Sequence, residues 1–166
     1  MCKLSLCLLV AIFGCLIAGS LAGVNRDSYV HRDIIVVKDV RDFAAKHPGL
    51  NLQRMERQPV SARAAAAATQ SVRYTLGARI TDDRLVAQNA DVFNYASSND
   101  VSLQVTYPET GAGAIVTYVE IVCTQDNNEG NAFVIAGGIG QRFISILIEA
   151  KQTNSFAYQA LYYGVD

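Results

Sequence analysis

Val101-Ser102-Leu103-Gln104-Val105-Thr106-Tyr107 decides the fold of this chain, because its apolar and polar side chains alternate with a period of two. Successive side chains of a strand point to opposite faces, so the stretch offers one face to a core and one to water. A helix would mix intervals of three and four between its apolar residues, and here none are three apart. The alternation recurs further along. Ile144, Ile146 and Ile148 interleave with Ser145 and Glu149, and Phe156, Tyr158, Ala160 and Tyr162 interleave with Ala157 and Gln159.

Turn-forming clusters separate these runs: Thr81-Asp82-Asp83, Ser97-Ser98-Asn99-Asp100, residues 108–113, 125–130, 137–140 and 152–155. They divide the chain after Ser71 into about seven strands, near residues 72–80, 84–93, 101–107, 114–124, 131–136, 141–150 and 156–163. Short connections favour antiparallel neighbours, and a sheet with one apolar face must cover that face. The expectation is an all-β domain over residues 71–166, an antiparallel β-sandwich. A closed barrel, or a sheet covered by an N-terminal helix, is the alternative.

Two different segments precede this domain. Met1 to Ala22 reads as a secretory signal peptide: Lys3 supplies a positive start, Leu4 to Ile17 is a run of apolar and small residues, and Ser20-Leu21-Ala22 places small residues where a signal peptidase reads. Cleavage is expected between Ala22 and Gly23, giving a secreted, extracellular protein without a membrane anchor. Residues 23–70 then form a basic extension. Asp39 can cap a short amphipathic helix through Val40, Phe43 and Ala44, which His47-Pro48-Gly49 ends. The alanine run Ala64 to Ala68 reads as a linker, since alanine favours helix but buries little. Arg54 and Arg57 have the minimal spacing read by secretory-pathway convertases, a candidate processing site.

Charge divides the chain as well. Residues 24–73 carry nine basic and five acidic side chains, whereas residues 74–166 carry four basic and ten acidic ones. An acidic domain with four scattered cations does not replace the counterions of phosphates, so no direct nucleic-acid contact is expected. Of four cysteines, Cys2, Cys7 and Cys15 lie in the signal stretch. The free thiol Cys123 remains, with no partner for an intramolecular disulfide, and its apolar surroundings favour burial.

Catalytic and metal chemistry find little support. His31 and His47 both precede the β domain, so that domain has no histidine for a serine triad or a histidine-based metal site. Asp126-Asn127-Asn128-Glu129-Gly130 lacks the alternating oxygen ligands of an EF-hand. Gly137-Gly138-Ile139-Gly140 is followed by a strand rather than a helix, which makes it a hairpin turn and not a phosphate cradle. The seven tyrosines within the domain fit half-buried strand positions. No catalytic residue, metal or cofactor is assigned, and a non-enzymatic role is expected. The partner should be another protein, a second copy of this chain included.

Tyr74-Thr75-Leu76-Gly77 with Arg79, Asp83-Arg84-Leu85-Val86, Val105-Thr106-Tyr107-Pro108, Tyr118 within 115–121, the 137–140 turn and the terminal Tyr162-Tyr163-Gly164 occur in an order that resembles the multiprotein bridging factor two family of insects. The resemblance implies the same β domain and two roles. Most members are secreted gut, saliva or response-to-pathogen proteins, which implies an extracellular interaction or defence effector. The family name comes from a transcriptional coactivator that bridges general transcription factors, the second role.

Overall fold

The computed structural model describes residues 40–49, 52–60 and 69–166. The signal stretch, the Ala22–Gly23 cleavage pair and the alanine run lie outside the described residues. Within them the chain is one helix, α1 (Val40–Lys46), and seven strands: β1 (Gln53–Arg54), β2 (Glu56–Val60), β3 (Gln70–Gly77), β4 (Arg84–Tyr107), β5 (Ile115–Gln125), β6 (Gly130–Gly137) and β7 (Ile144–Val165). All pairings are antiparallel, in the order β1-β6-β7-β5-β3-β2, with β4 also on β7.

β7 organises the rest. Its first half pairs with β6 and the end of β4, its second half with β5 and the start of β4. A 22-residue strand would extend roughly 70 Å if straight. Yet the loop that enters β7 and the strand's own end meet at one residue. Val116 pairs with Gly164, donates its N–H to Gln141 O (2.8 Å) and accepts from Gly140 N–H (2.8 Å). The long ribbon is therefore bent back on itself, and its two halves enclose the core.

That core is what the alternation provides. Ile144, Ile146 and Ile148 of one half join Phe156, Ala160 and Tyr162 of the other, with Leu103, Val105, Val119 and Ile121, in one buried cluster. Burying each large side chain contributes roughly 1.5–3 kcal/mol. The fold class expected from sequence is thus what the chain adopts: an antiparallel, nearly closed sandwich.

The strand boundaries differ in an instructive way. Residues 84–93 and 101–107 belong to one strand, as do most of 141–150 and 156–163. The polar clusters between them are bulges at the bend, where register shifts fall between Asn94 and Asn99 and between Asn99 and Val101. Bulges kink and overtwist a strand without ending it. Asn99 faces Thr153, so both strands bend at the same place.

Residues 52–60, which the sequence places in the extension, supply β1 and β2. Gln53 and Arg54 pair with β6, Glu56 to Val60 pair with β3, and the segment joins the edges of the two halves. Between them Met55 sits in the core at 2% exposure, its N–H on Ala132 O (2.9 Å). The expected helix occurs as α1, ends before Pro48, and places Phe43 against the outer face of β6 and β7. There Phe43, Leu52, Phe133 and Ile135 surround the fully buried Leu147. Ser145 and Glu149, on the same face, which the alternation gives to water, are buried as well, Ser145 bonded to Gln104 and Thr106 and Glu149 beside Lys151.

Candidate functional site

Three features of the β domain could carry function: the end where three loops meet, the corner where the ribbon bends, and the outer face over β4, β7 and β5. At the loop end, Gly77 has φ +76°, and a Cβ there would lie 2.3 Å from Thr117 O, so glycine is required. The chain then turns through residues 78–83, placing Asp83 at the centre of a lock. Arg79 Nε donates to both carboxylate oxygens (2.8 and 3.0 Å), Ile80 N–H donates at 3.0 Å and the Thr117 hydroxyl at 3.1 Å. The Asp83 side chain is 1% exposed. The Arg79 guanidinium holds its carboxyl well below the usual range, at about 2, with the Ile80 and Thr117 bonds adding to the effect.

Arg79 also lies over the Tyr163 ring, 3.7 Å from its centroid, a cation–π contact between the loop and β7. Tyr163 packs against Tyr118 (5.9 Å), whose hydroxyl donates to Glu120 (3.0 Å). Arg73 Nε stands 3.4 Å from Glu120, a charge contact without hydrogen-bond alignment. An aromatic and ionic strip thus crosses β7, β5 and β3. On the inner side Tyr107 stacks on Tyr162 (5.3 Å) and accepts the Ala114 N–H (2.8 Å).

The corner uses the residues weighed as a calcium loop. Asn127 donates to Lys151 O (2.9 Å) and Gln152 O (3.1 Å), Asp126 accepts Asn154 N–H (2.6 Å), and the fully buried Thr153 donates to Ser155 O (2.6 Å). On the β4 side Asp100 accepts Gln152 N–H (3.0 Å) and pairs with Lys151 (3.1 Å), contacts that lower its pKa, the backbone bond most. These side chains replace the ladder bonds that the bulges interrupt. Asn127 Oδ1, Asp126 Oδ2 and both Asp100 oxygens accept hydrogen bonds within the corner, which suits a structural clamp.

The Gly137–Gly140 turn connects β6 to β7, with positive φ at Gly137, Gly138 and Gly140, and docks on Val116. Cys123 is buried at 2%, and burial pushes its thiol up to about 12, so it is a packing residue. Tyr74, Tyr107, Tyr158 and Tyr162 are buried while Tyr95, Tyr118 and Tyr163 are half-buried, so the tyrosines are mainly core residues. Arg54 and Arg57 are exposed but reach across the β5–β6 corner, to Asn131 Oδ1 and Asn128 O. Among the described residues no group of three or more His, Cys, Asp or Glu side chains is placed to hold a metal ion.

What sequence reasoning did not find is the outer face. Ala90 and Val92 of β4, Ala157 and Gln159 of β7, and Val122 and Thr124 of β5 stand in cross-strand register and floor an open groove of about 440 Å³. Val92 is 62% exposed. Small residues in three neighbouring strands were the available signal, visible only once the register is known. Chemically the groove offers shape and apolar contact, with the Arg73–Glu120 pair bordering it on β3 and β5.

Fold and site together define a small all-β protein whose accessible features are surfaces. Residues 76–164 match the family described as transcription activator MBF2, and the chain belongs to that family. The matched region holds the Asp83 lock, the corner and the glycine turn, and β1 and β2 fall outside it. No curated protein and no solved structure matches the chain.

Proposed function

We propose that this protein is exported and acts outside the cell by binding another protein, as an interaction or defence-response effector rather than an enzyme. The observation that carries this reading is Lys3 followed by the apolar run Leu4 to Ile17 and the Ser20-Leu21-Ala22 triplet, the pattern of a cleaved export signal. The chemistry of the β domain supports the binding half. Asp83 is committed to Arg79, Cys123 is buried and protonated, and the corner oxygens are hydrogen-bonded internally, while the groove over β4, β7 and β5 faces outward.

The second reading rests on one observation, the family's description as a transcription activator. It makes the same surface a contact for transcription factors. Expression of the full chain in an insect cell line separates the two: Gly23 as the first residue of protein recovered from the medium supports export, and intact Met1 product in the nuclear fraction refutes it.

A further inference from the structure

We propose that residues 52–60 are a cleavable strap, and that hydrolysis of the Arg57–Gln58 bond releases it, freeing the edge of β6 and the apolar face around Leu147 that the intact protein keeps covered. The strap closes the sheet as an edge segment that buries little side chain. β1 is two residues long, β2 contains Pro59, which has no N–H for the ladder, and four of the five β2 residues are exposed. Its anchors are the short ladders of β1 on β6 and β2 on β3, the Met55 side chain in the core, the Met55–Ala132 hydrogen bond, and the two arginines on the β5–β6 corner.

Those arginines are also what a protease reading arginine at the cut and three residues before it would need. In the closed strap both guanidinium groups are engaged and the backbone between them is held against β6 and β3. A protease cleft binds its substrate as an extended strand, so this segment must leave the sheet to be read. Cutting then depends on the population of the opened strap. The reaction adds water across one amide, leaving a carboxylate on Arg57 and an amine on Gln58.

The position of the cut gives the event its consequence. α1, Leu52, β1 and Met55 all lie on the N-terminal side of the bond. Without them β6 loses its edge partner, the core loses Met55, and Phe133, Ile135 and Leu147 lose their cover of Phe43 and Leu52. The strap lies outside the matched family region, as does most of β3.

The full chain is treated with a convertase of this specificity beside a peptide spanning residues 50–62, with products identified by mass. The wild type should be cut after Arg57 at least ~10-fold more slowly than the peptide, as expected for cleavage from a minor open state. Met55→Ala should move the rate toward that of the peptide. The double variant Glu56→Cys/Thr75→Cys, which joins facing positions of β2 and β3, should resist cutting when oxidised and be cut when reduced. After cleavage, the fragment ending at Arg57 should separate on gel filtration and an apolar dye should bind the remainder. Wild-type cutting at the peptide's rate, cutting of the oxidised cross-linked form, or no cutting of either wild type or Met55→Ala overturns the proposal. So does a cleaved protein whose fragments stay together and bind no dye.

Discussion

Leu147→Ala tests whether the outer face of the first half of β7 is a second core. Alternation assigns Leu147 to water together with Leu161, which lies on the same face of the same strand. The structure separates them: Leu147 is fully buried beneath Phe43 and Leu52, and Leu161 is half-buried. Leu→Ala removes three carbons, and at about 0.8 kcal/mol for each buried one the transfer loss at 147 is about 2.4 kcal/mol. A rigid cavity would raise this toward 5 kcal/mol, but one wall here is a seven-residue helix that can settle inward, so about 3 kcal/mol is expected. Leu161→Ala should cost about 1 kcal/mol or less, since much of its side chain already meets water. Urea denaturation followed by tyrosine fluorescence measures both midpoints. Equal losses would mean that α1 does not cover the sheet, and would remove the basis for a covered surface at Leu147.

Asp83 should govern acid stability. Its folded pKa of about 2 lies below the ordinary 3.8, so the stabilisation is fully present above about pH 4 and is lost as pH falls through 2. Urea midpoints between pH 7 and 2 should therefore fall less steeply below pH 4 in Asp83→Asn, and an unchanged slope would refute the lock. Gly77→Ala should destabilise by 2 kcal/mol or more, about what a Cβ clash in a left-handed backbone costs, and a neutral result by thermal melting would contradict the turn geometry. Cys123, with its thiol raised to about 12, should resist iodoacetamide at pH 8 in the folded protein and react once unfolded. Fast labelling of the native form would place it at the surface.

Much of the inner face was legible in the sequence, because apolar alternation is a direct statement about one side of a strand. Ile144, Ile146 and Ile148 lie where their spacing puts them, and the glycines at 137, 138 and 140 have the positive φ their turn requires. The outer face was not legible. Ser145 and Glu149 have the composition of a wet surface, and nothing local says that Phe43 of a distant helix packs on Leu147 between them. Ser97–Asp100 and Gln152–Ser155 have the sequence of turns because the small polar residues that make turns also make bulges, and only the facing of Asn99 and Thr153 distinguishes the two. β1 and β2 leave almost no trace, since backbone pairing holds them and Met55 is their only core anchor. The Arg79–Asp83 lock was hidden for a related reason: an opposite pair four apart in a loop acquires meaning only when Thr117 and Tyr163 arrive from other strands.

The central place of β7 has a consequence for how the protein is made. β4, β5 and β6 each take β7 as a partner, and all three precede it in the chain. On the ribosome β4 therefore emerges as a long strand, half of its residues apolar, with no neighbour, and must wait while β5, β6 and the glycine turn are synthesised. Pairings of such sequence separation form slowly, and unpaired strand edges invite association with other chains. The Ser97–Asp100 cluster and Asp91 put polar and charged side chains into β4 during that interval, so the residues that later form its bend can also serve, beforehand, to keep the waiting strand in solution.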